Sequence, residues 1–157
     1  QGTAATLGEG VAKNGWPTLR TTRGRMIFAF NDAEAVRAAY TRGGTSLKGR
    51  LLFTESLPGD PLAAIAILNT PTDKTIPKAL AANMLVRTMS DGATDGDAAA
   101  QAGLDAAIAA GATWISTDVP APVPGRTYVQ TLPGGAPSRC NPVTAPASCT
   151  SDDVEKL

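Results

Sequence analysis

Apolar residues fall along this chain in short runs, each closed by polar residues and then by glycine or proline. Arg25 to Phe30 reads RMIFAF between Gly24 and Asn31-Asp32, the pattern of a buried strand with a polar end. Arg50 to Thr54, RLLFT, is a second such run and leads into Glu55. Met84-Leu85-Val86 is a third and leads into Arg87, Ser90 and Asp91. Thr113 to Ser116 is a fourth and delivers Thr117, Asp118 and Pro120. Helical periodicity fills the intervals. Gly2 to Asn14 predicts a weak helix ended by Gly15 and Pro17. Asp32 caps a helix with Val36, Ala39 and Tyr40 on its apolar face, stopped at Gly43-Gly44. Asp60-Pro61 opens a helix through Leu68, and Ile76 to Ala82 forms another. Asp97 to Ala110 is the strongest helix, with Leu104, Ala107 and Ile108 on its packed face and Gly111 as its stop.

These elements predict four strand–helix modules, each strand ending in polar residues, which is the composition of half an eight-stranded α/β barrel. An open four-stranded parallel sheet is the alternative, one whose faces and edges would need cover not evident in the sequence. After Pro120 the texture changes. Six prolines, from Pro122 to Pro146, punctuate a segment in which only Arg126 to Leu132 resembles a strand, and an acidic tail follows from Ser151. Too little apolar surface lies there for a separate core, so it reads as an ordered excursion from a single domain.

Composition narrows the chemistry. The 157 residues carry 14 basic and 14 acidic side chains without long runs of either sign, which argues against nucleic acid and against a polybasic membrane patch. No apolar run is long enough to span a bilayer. The chain opens on Gln1 without the charged and apolar regions of a signal peptide, so in a secreted protein that leader is expected to have been removed. The two cysteines, Cys140 and Cys149, flank one Pro-rich loop. Their even count and close spacing favour a local disulfide and an oxidising compartment. A loop of that size gives roughly 2–3 kcal/mol. There is no histidine at all. Histidine is the commonest general acid or base near neutral pH, so a histidine-dependent mechanism cannot be completed by this chain alone.

In parallel α/β folds, sites are built at the carboxyl ends of strands, where loops converge on one ligand. Arg87, Asp91 and Asp118 are therefore the first candidates, with Thr117 beside them. Arg87 suits bidentate contact with a phosphate or ring hydroxyls, or an ion pair with Asp91 that ties a loop. Asp118 is either a functional carboxylate or a turn residue before Pro120. Asn31 ends the first strand, and Asp32 beside it is equally suited to helix capping. Glu55 has the oxygen chemistry of a calcium ligand but reads better as an exposed turn carboxylate. Trp16 and Trp114 read as packing residues, Trp114 pointing toward a core face. Tyr128 reads as loop packing. Ser116 is no nucleophile, because no base stands by to activate it.

The runs GWPTLRTTRGRMIFAFND, LLFTES, MLVRTMSDGATDGDAAAQAGLDAAIAAGATWISTDVP and LPGGAPSRCNPVTAPASC together resemble the carboxyl-terminal half of the secreted, calcium-dependent phosphoinositide-specific phospholipase C family of bacteria. The most specific stretches are Arg87-Thr88 with Asp91, the run from Gly111 to Pro120, and Arg139-Cys140-Asn141-Pro142. The resemblance implies the carboxyl-terminal half of a distorted (β/α)8 barrel with a disulfide-pinned excursion. It implies cleavage of the phosphodiester of inositol phospholipids by two histidines from the other half, with Ca2+ stabilising phosphoryl charge through ligands mostly in that half. Asp118 would support one of those histidines, as a carboxylate does in a catalytic triad. Arg87, Asp91, Asn31 and Thr117 would contact the inositol headgroup or phosphate. No metal ligand is assigned to this chain. The implied setting is extracellular, with peripheral contact at a lipid surface and the amino-terminal half-barrel as partner. Two positions depart from the expected pattern: Met89 replaces a basic residue, and Val119 replaces a tyrosine that could wall the inositol ring. A glycerophosphodiester phosphodiesterase and a non-catalytic secreted binding module of the same fold are the competing expectations.

Overall fold

The computed structural model describes residues 4–31 and 34–155. Its helices are α1 (Leu7–Asn14), α2 (Leu19–Thr22), α3 (Glu34–Thr41), α4 (Ile76–Ala81), α5 (Asp97–Ala109) and α6 (Ser151–Glu155). Its strands are β1 (Ala29–Phe30), β2 (Phe53–Thr54), β3 (Ile65–Ile67), β4 (Leu85–Met89) and β5 (Trp114–Ser116). β1 pairs with β2 in parallel, and a three-stranded sheet runs β3-β4-β5, also in sequence order. A single parallel bridge joins Glu55 to Ile65. The fold is mixed α/β with small parallel sheets, and no closed barrel forms among the described residues. The chain divides into two compact units, Gln1–Ile67 with Lys74–Val86, and Leu68–Asp73 with Arg87–Leu157.

In the first unit, α1 begins with a capping box: the Glu9 amide donates to the Thr6 hydroxyl, and Glu9 accepts from the Thr6 amide. Its Val11 packs with Ala64 and Ile65, and Leu7, Trp16, Phe53 and Leu85 close around them. The Trp16 indole donates to the Asn83 carbonyl at 2.8 Å, and the Asn83 amide group donates to the Ala12 carbonyl at 2.9 Å. Trp16 is thus the packing residue its sequence context suggests. Arg37 pairs with Asp60, whose other oxygen accepts from the Leu62 amide and sets the turn into β3.

The second unit is held by α5 against the strands. Ala100, Leu104 and Ala107 are fully buried on one side of the helix. Gly103 rides directly on the Ser90 carbonyl, where an added Cβ would collide with the oxygen. Gly111 ends the helix region at φ 77°, and a Cβ there would meet Val143 at 2.7 Å. Asn141 seals that end by donating to the Gly111 carbonyl at 2.8 Å while its oxygen accepts from Val143 and Thr144. Cys140 and Cys149 are bonded.

Several sequence expectations need correction. The run from Asp60 to Leu68 is not a helix. Its Ile65–Ile67 segment is β3, buried on nearly every side, and a continuous apolar run in such a place carries no period that separates strand from helix. Among the described residues the strand count is therefore five, not four. The first two strands are shorter than Arg25 to Phe30 and Arg50 to Thr54, because only two residue pairs enter the ladder while Met26 and Leu51 stand 81% and 91% exposed. Gly2 and Asp32, expected in or before helices, lie outside the described residues. Arg126 to Leu132 is not a strand: the Thr127 and Tyr128 amides donate to the Asp97 carboxylate instead of to a ladder. The tail from Ser151 is a short helix, tied back where Glu155 accepts from Ser138.

Gly103→Ala is expected to destabilise the second unit by about 1–3 kcal/mol, although alanine ordinarily improves a helix interior by about 1 kcal/mol. A lower urea midpoint at unchanged slope checks the sign.

Candidate functional site

The second unit carries the chemistry. β4 does not stop before Arg87, as the apolar run suggests, but continues through Met89 because its ladder with β5 continues: Arg87 faces Trp114, Thr88 faces Ile115 and Met89 faces Ser116. Side chains alternate between the two faces of a strand. Val86 and Thr88 are fully buried on one face. Arg87 and Met89 lie half-buried on the other, beside their register partners Trp114 and Ser116. Trp114 is 40% exposed and does not point into a core, contrary to its sequence reading. This face is therefore partly exposed at Trp114.

Arg87 hydrogen-bonds the side-chain oxygen of Asn69, a partner sequence reasoning did not single out. Asn69 lies just beyond β3, after the Leu68 amide has donated to the Arg87 carbonyl at 2.9 Å. That strand was read as helix, which hid the neighbour. The expected alternative of an Arg87–Asp91 ion pair is not formed.

Asp91 is 3% exposed. A buried carboxylate needs donors on both oxygens, and the loop after β5 supplies them. The Thr117 hydroxyl donates to Oδ2 at 2.8 Å, and the Asp118 amide donates to Oδ1 at 2.9 Å. The Thr117 oxygen also accepts from the Val119 amide at 2.9 Å. Asp91 and Thr117 thus hold the loop. Asp118, fixed by its own backbone, presents an exposed carboxylate that has no hydrogen bond or ion pair among the described residues. Asn31 lies in the first unit, exposed after β1. The structure therefore gathers Asp91, Thr117 and Asp118 into one network and seats Arg87 with Asn69.

Asp97, in the first turn of α5, anchors the excursion. Its carboxylate accepts from the Thr127 hydroxyl at 2.7 Å, from Arg126 Nε at 3.1 Å, and from the Thr127 and Tyr128 amides at 3.1 and 3.0 Å. The Thr127 hydroxyl bond leads these donors in lowering its pKa to about 2. The Tyr128 phenol is raised, first by burial and then by Asp91. Two surface grooves lie elsewhere. One, about 410 Å³, is lined by Leu7, Val11, Trp16 and Phe53 in the first unit. The other, about 370 Å³, adjoins the disulfide.

A parallel α/β sheet with a cation within β4 and an unpaired carboxylate just after β5 defines the chain as an α/β protein with polar side chains gathered at one end of its strands. The chain belongs to the family described as phosphoinositide phospholipase C, Ca2+-dependent, which matches residues 1–142. No curated protein and no solved structure matches it. Family membership carries phospholipase C-related chemistry at the level of the family. The residues described here do not by themselves fit a calcium cage. Ca2+ takes six to eight oxygen ligands. Among the described residues no three carboxylate, cysteine or histidine side chains converge, and both oxygens of Asp91 are already engaged.

Asp97 has its folded pKa below its unfolded value, so its bonds stabilise the fold above about pH 4 and are lost as pH falls toward about 2. Carboxylate NMR should place its midpoint near 2, with the Thr127 and Tyr128 amide shifts following the same curve. A midpoint near 4 would mean that the four bonds do not persist in solution.

Proposed function

We propose that this chain supplies the carboxyl-terminal half-barrel of a secreted phosphoinositide-specific phospholipase C, residues 1–120 forming its β/α part and 121–157 its excursion. The exposed, unpartnered carboxylate of Asp118 carries this reading, because it is held by its backbone while its side chain stays free. Parallel strands in sequence order and membership of the family support it.

The catalytic histidines come from the amino-terminal half, since this sequence has none. Asp118 accepts the N–H of one imidazole, fixing its tautomer and stabilising its protonated form, so that the other ring nitrogen takes the proton of the attacking inositol hydroxyl. Arg87, steadied by Asn69, donates to the phosphate or to ring hydroxyls. Asn31 and Thr117 are the remaining headgroup contacts of this reading, Thr117 only through whatever reach its bond to Asp91 leaves it. Ca2+, when bound, supplies charge stabilisation for the phosphoryl group through ligands mostly outside this chain.

The 157-residue chain alone is expected to leave phosphatidylinositol vesicles uncleaved. Together with a histidine-bearing amino-terminal half, it should release inositol phosphate in a Ca2+-dependent manner. In that assembly Asp118→Asn should lower kcat by about 10²–10⁴, and Arg87→Ala should act mainly on KM. Full activity of Asp118→Asn, or cleavage by the chain alone, would overturn the assignment. Release of glycerol phosphate from glycerophosphoinositol, with phosphatidylinositol left intact, would move it to a glycerophosphodiester phosphodiesterase, and tight headgroup binding without turnover to a binding module.

A further inference from the structure

The excursion does more than pass the strand ends. Arg126, Thr127 and Tyr128 are bound to Asp97 at the start of α5. Two residues on, the Gln130 amide donates to the Val119 carbonyl at 3.0 Å. The Gln130 side-chain oxygen accepts from the Ser90 hydroxyl, which also lies 3.1 Å from the Ser116 carbonyl. One short segment is therefore fastened at one end to a helix and at the other to both strand-end loops. Val119, the residue it grips, follows Asp118 directly and is itself buried.

The closed arrangement carries a built-in cost. Arg126 Nη1 and Nη2 are buried without a hydrogen-bond partner, and only Nε reaches Asp97. The ring of Tyr128, 5.8 Å from the guanidinium, offers only partial compensation. Buried donors of a cation that go unmet favour the state in which water reaches them. The four bonds to Asp97 oppose that opening.

We propose that residues Arg126–Gln130 form a strap latched by Asp97, and that Asp97 is a positioning residue which, through Gln130 and Val119, fixes the loop presenting Asp118. The consequence for Asp118 rests on the function proposed above. The strap itself is measured without turnover, so a failed phospholipase assignment leaves its test intact.

Trypsin reads the latch directly, because Arg126–Thr127 is a cleavable bond at its centre. On the 157-residue chain, cleavage after Arg126 is followed by mass spectrometry, with cleavage after exposed Arg25 in the other unit as internal control. Asp97→Ala should speed cleavage after Arg126 by about tenfold or more at an unchanged Arg25 rate. Hydrogen exchange should show the Asp118 and Val119 amides losing protection in the same variant. Thr127→Val, which removes only the hydroxyl donor, should give a smaller increase and serves where Asp97→Ala fails to fold. Gln130→Pro, which removes the amide that donates to Val119, should deprotect the Asp118 and Val119 amides while leaving the Arg126 bond resistant. Unchanged cleavage in both latch variants would overturn the strap. Faster cleavage with fully protected Asp118 and Val119 amides, there and in Gln130→Pro, would overturn the positioning role.

Discussion

The strand-end architecture depends on one buried carboxylate. Asp91 is out of contact with water, and a carboxylate in that position is tolerated only when both oxygens are supplied with donors. Its donors come from Thr117 and Asp118, residues distant in sequence but next to it once β4 and β5 pair. The pairing and the carboxylate enforce each other. The ladder brings the two strand ends together, and Asp91 then dictates the path of the chain after β5. Asp118 is aimed because its amide is consumed, not because its side chain is gripped.

That division of labour separates two acids which look alike in sequence. Asp91 and Asp118 both follow apolar runs and both precede loops. One spends its side chain on structure and the other keeps it free. Arg87 occupies a third position, half-buried on β4 and steadied by Asn69 without being neutralised by an acid. A cation without a carboxylate partner and a carboxylate without a cation on one parallel scaffold are groups left available for a ligand or a further polypeptide.

The excursion after Pro120 shows how a segment poor in apolar residues can still be ordered. It has no ladder and little core of its own. Order comes instead from polar fastening: Asp97 gathers Arg126 through Tyr128, Asn141 closes the end of α5, and Glu155 holds Ser138. The disulfide between Cys140 and Cys149 shortens the chain's freedom between two of these points. Polar anchors of this kind exchange water for protein at modest net gain per bond, so a region built on them depends on several acting together.

The sequence by itself determined the elements whose signal is local. The helix Asp97–Ala109, its stop at Gly111, the apolar lead into Arg87 and the delivery of Thr117 and Asp118 were all legible, because period and punctuation are properties of neighbouring residues. The absence of histidine was equally plain and limits the chemistry whatever the fold. Tertiary structure decided the rest. Whether the run from Asp60 to Leu68 became helix or strand depended on a neighbouring strand to pair with, since an apolar run buried on all sides has no polar face to give its period. Which of two aspartates was structural depended on the distance from Asp91 to the loop after β5. The outward face of Trp114 depended on its register with Arg87, and the strap depended on Asp97 offering amides a better acceptor than any strand nearby. Each of these is a choice between partners far apart in sequence, and only folding brings the partners within reach.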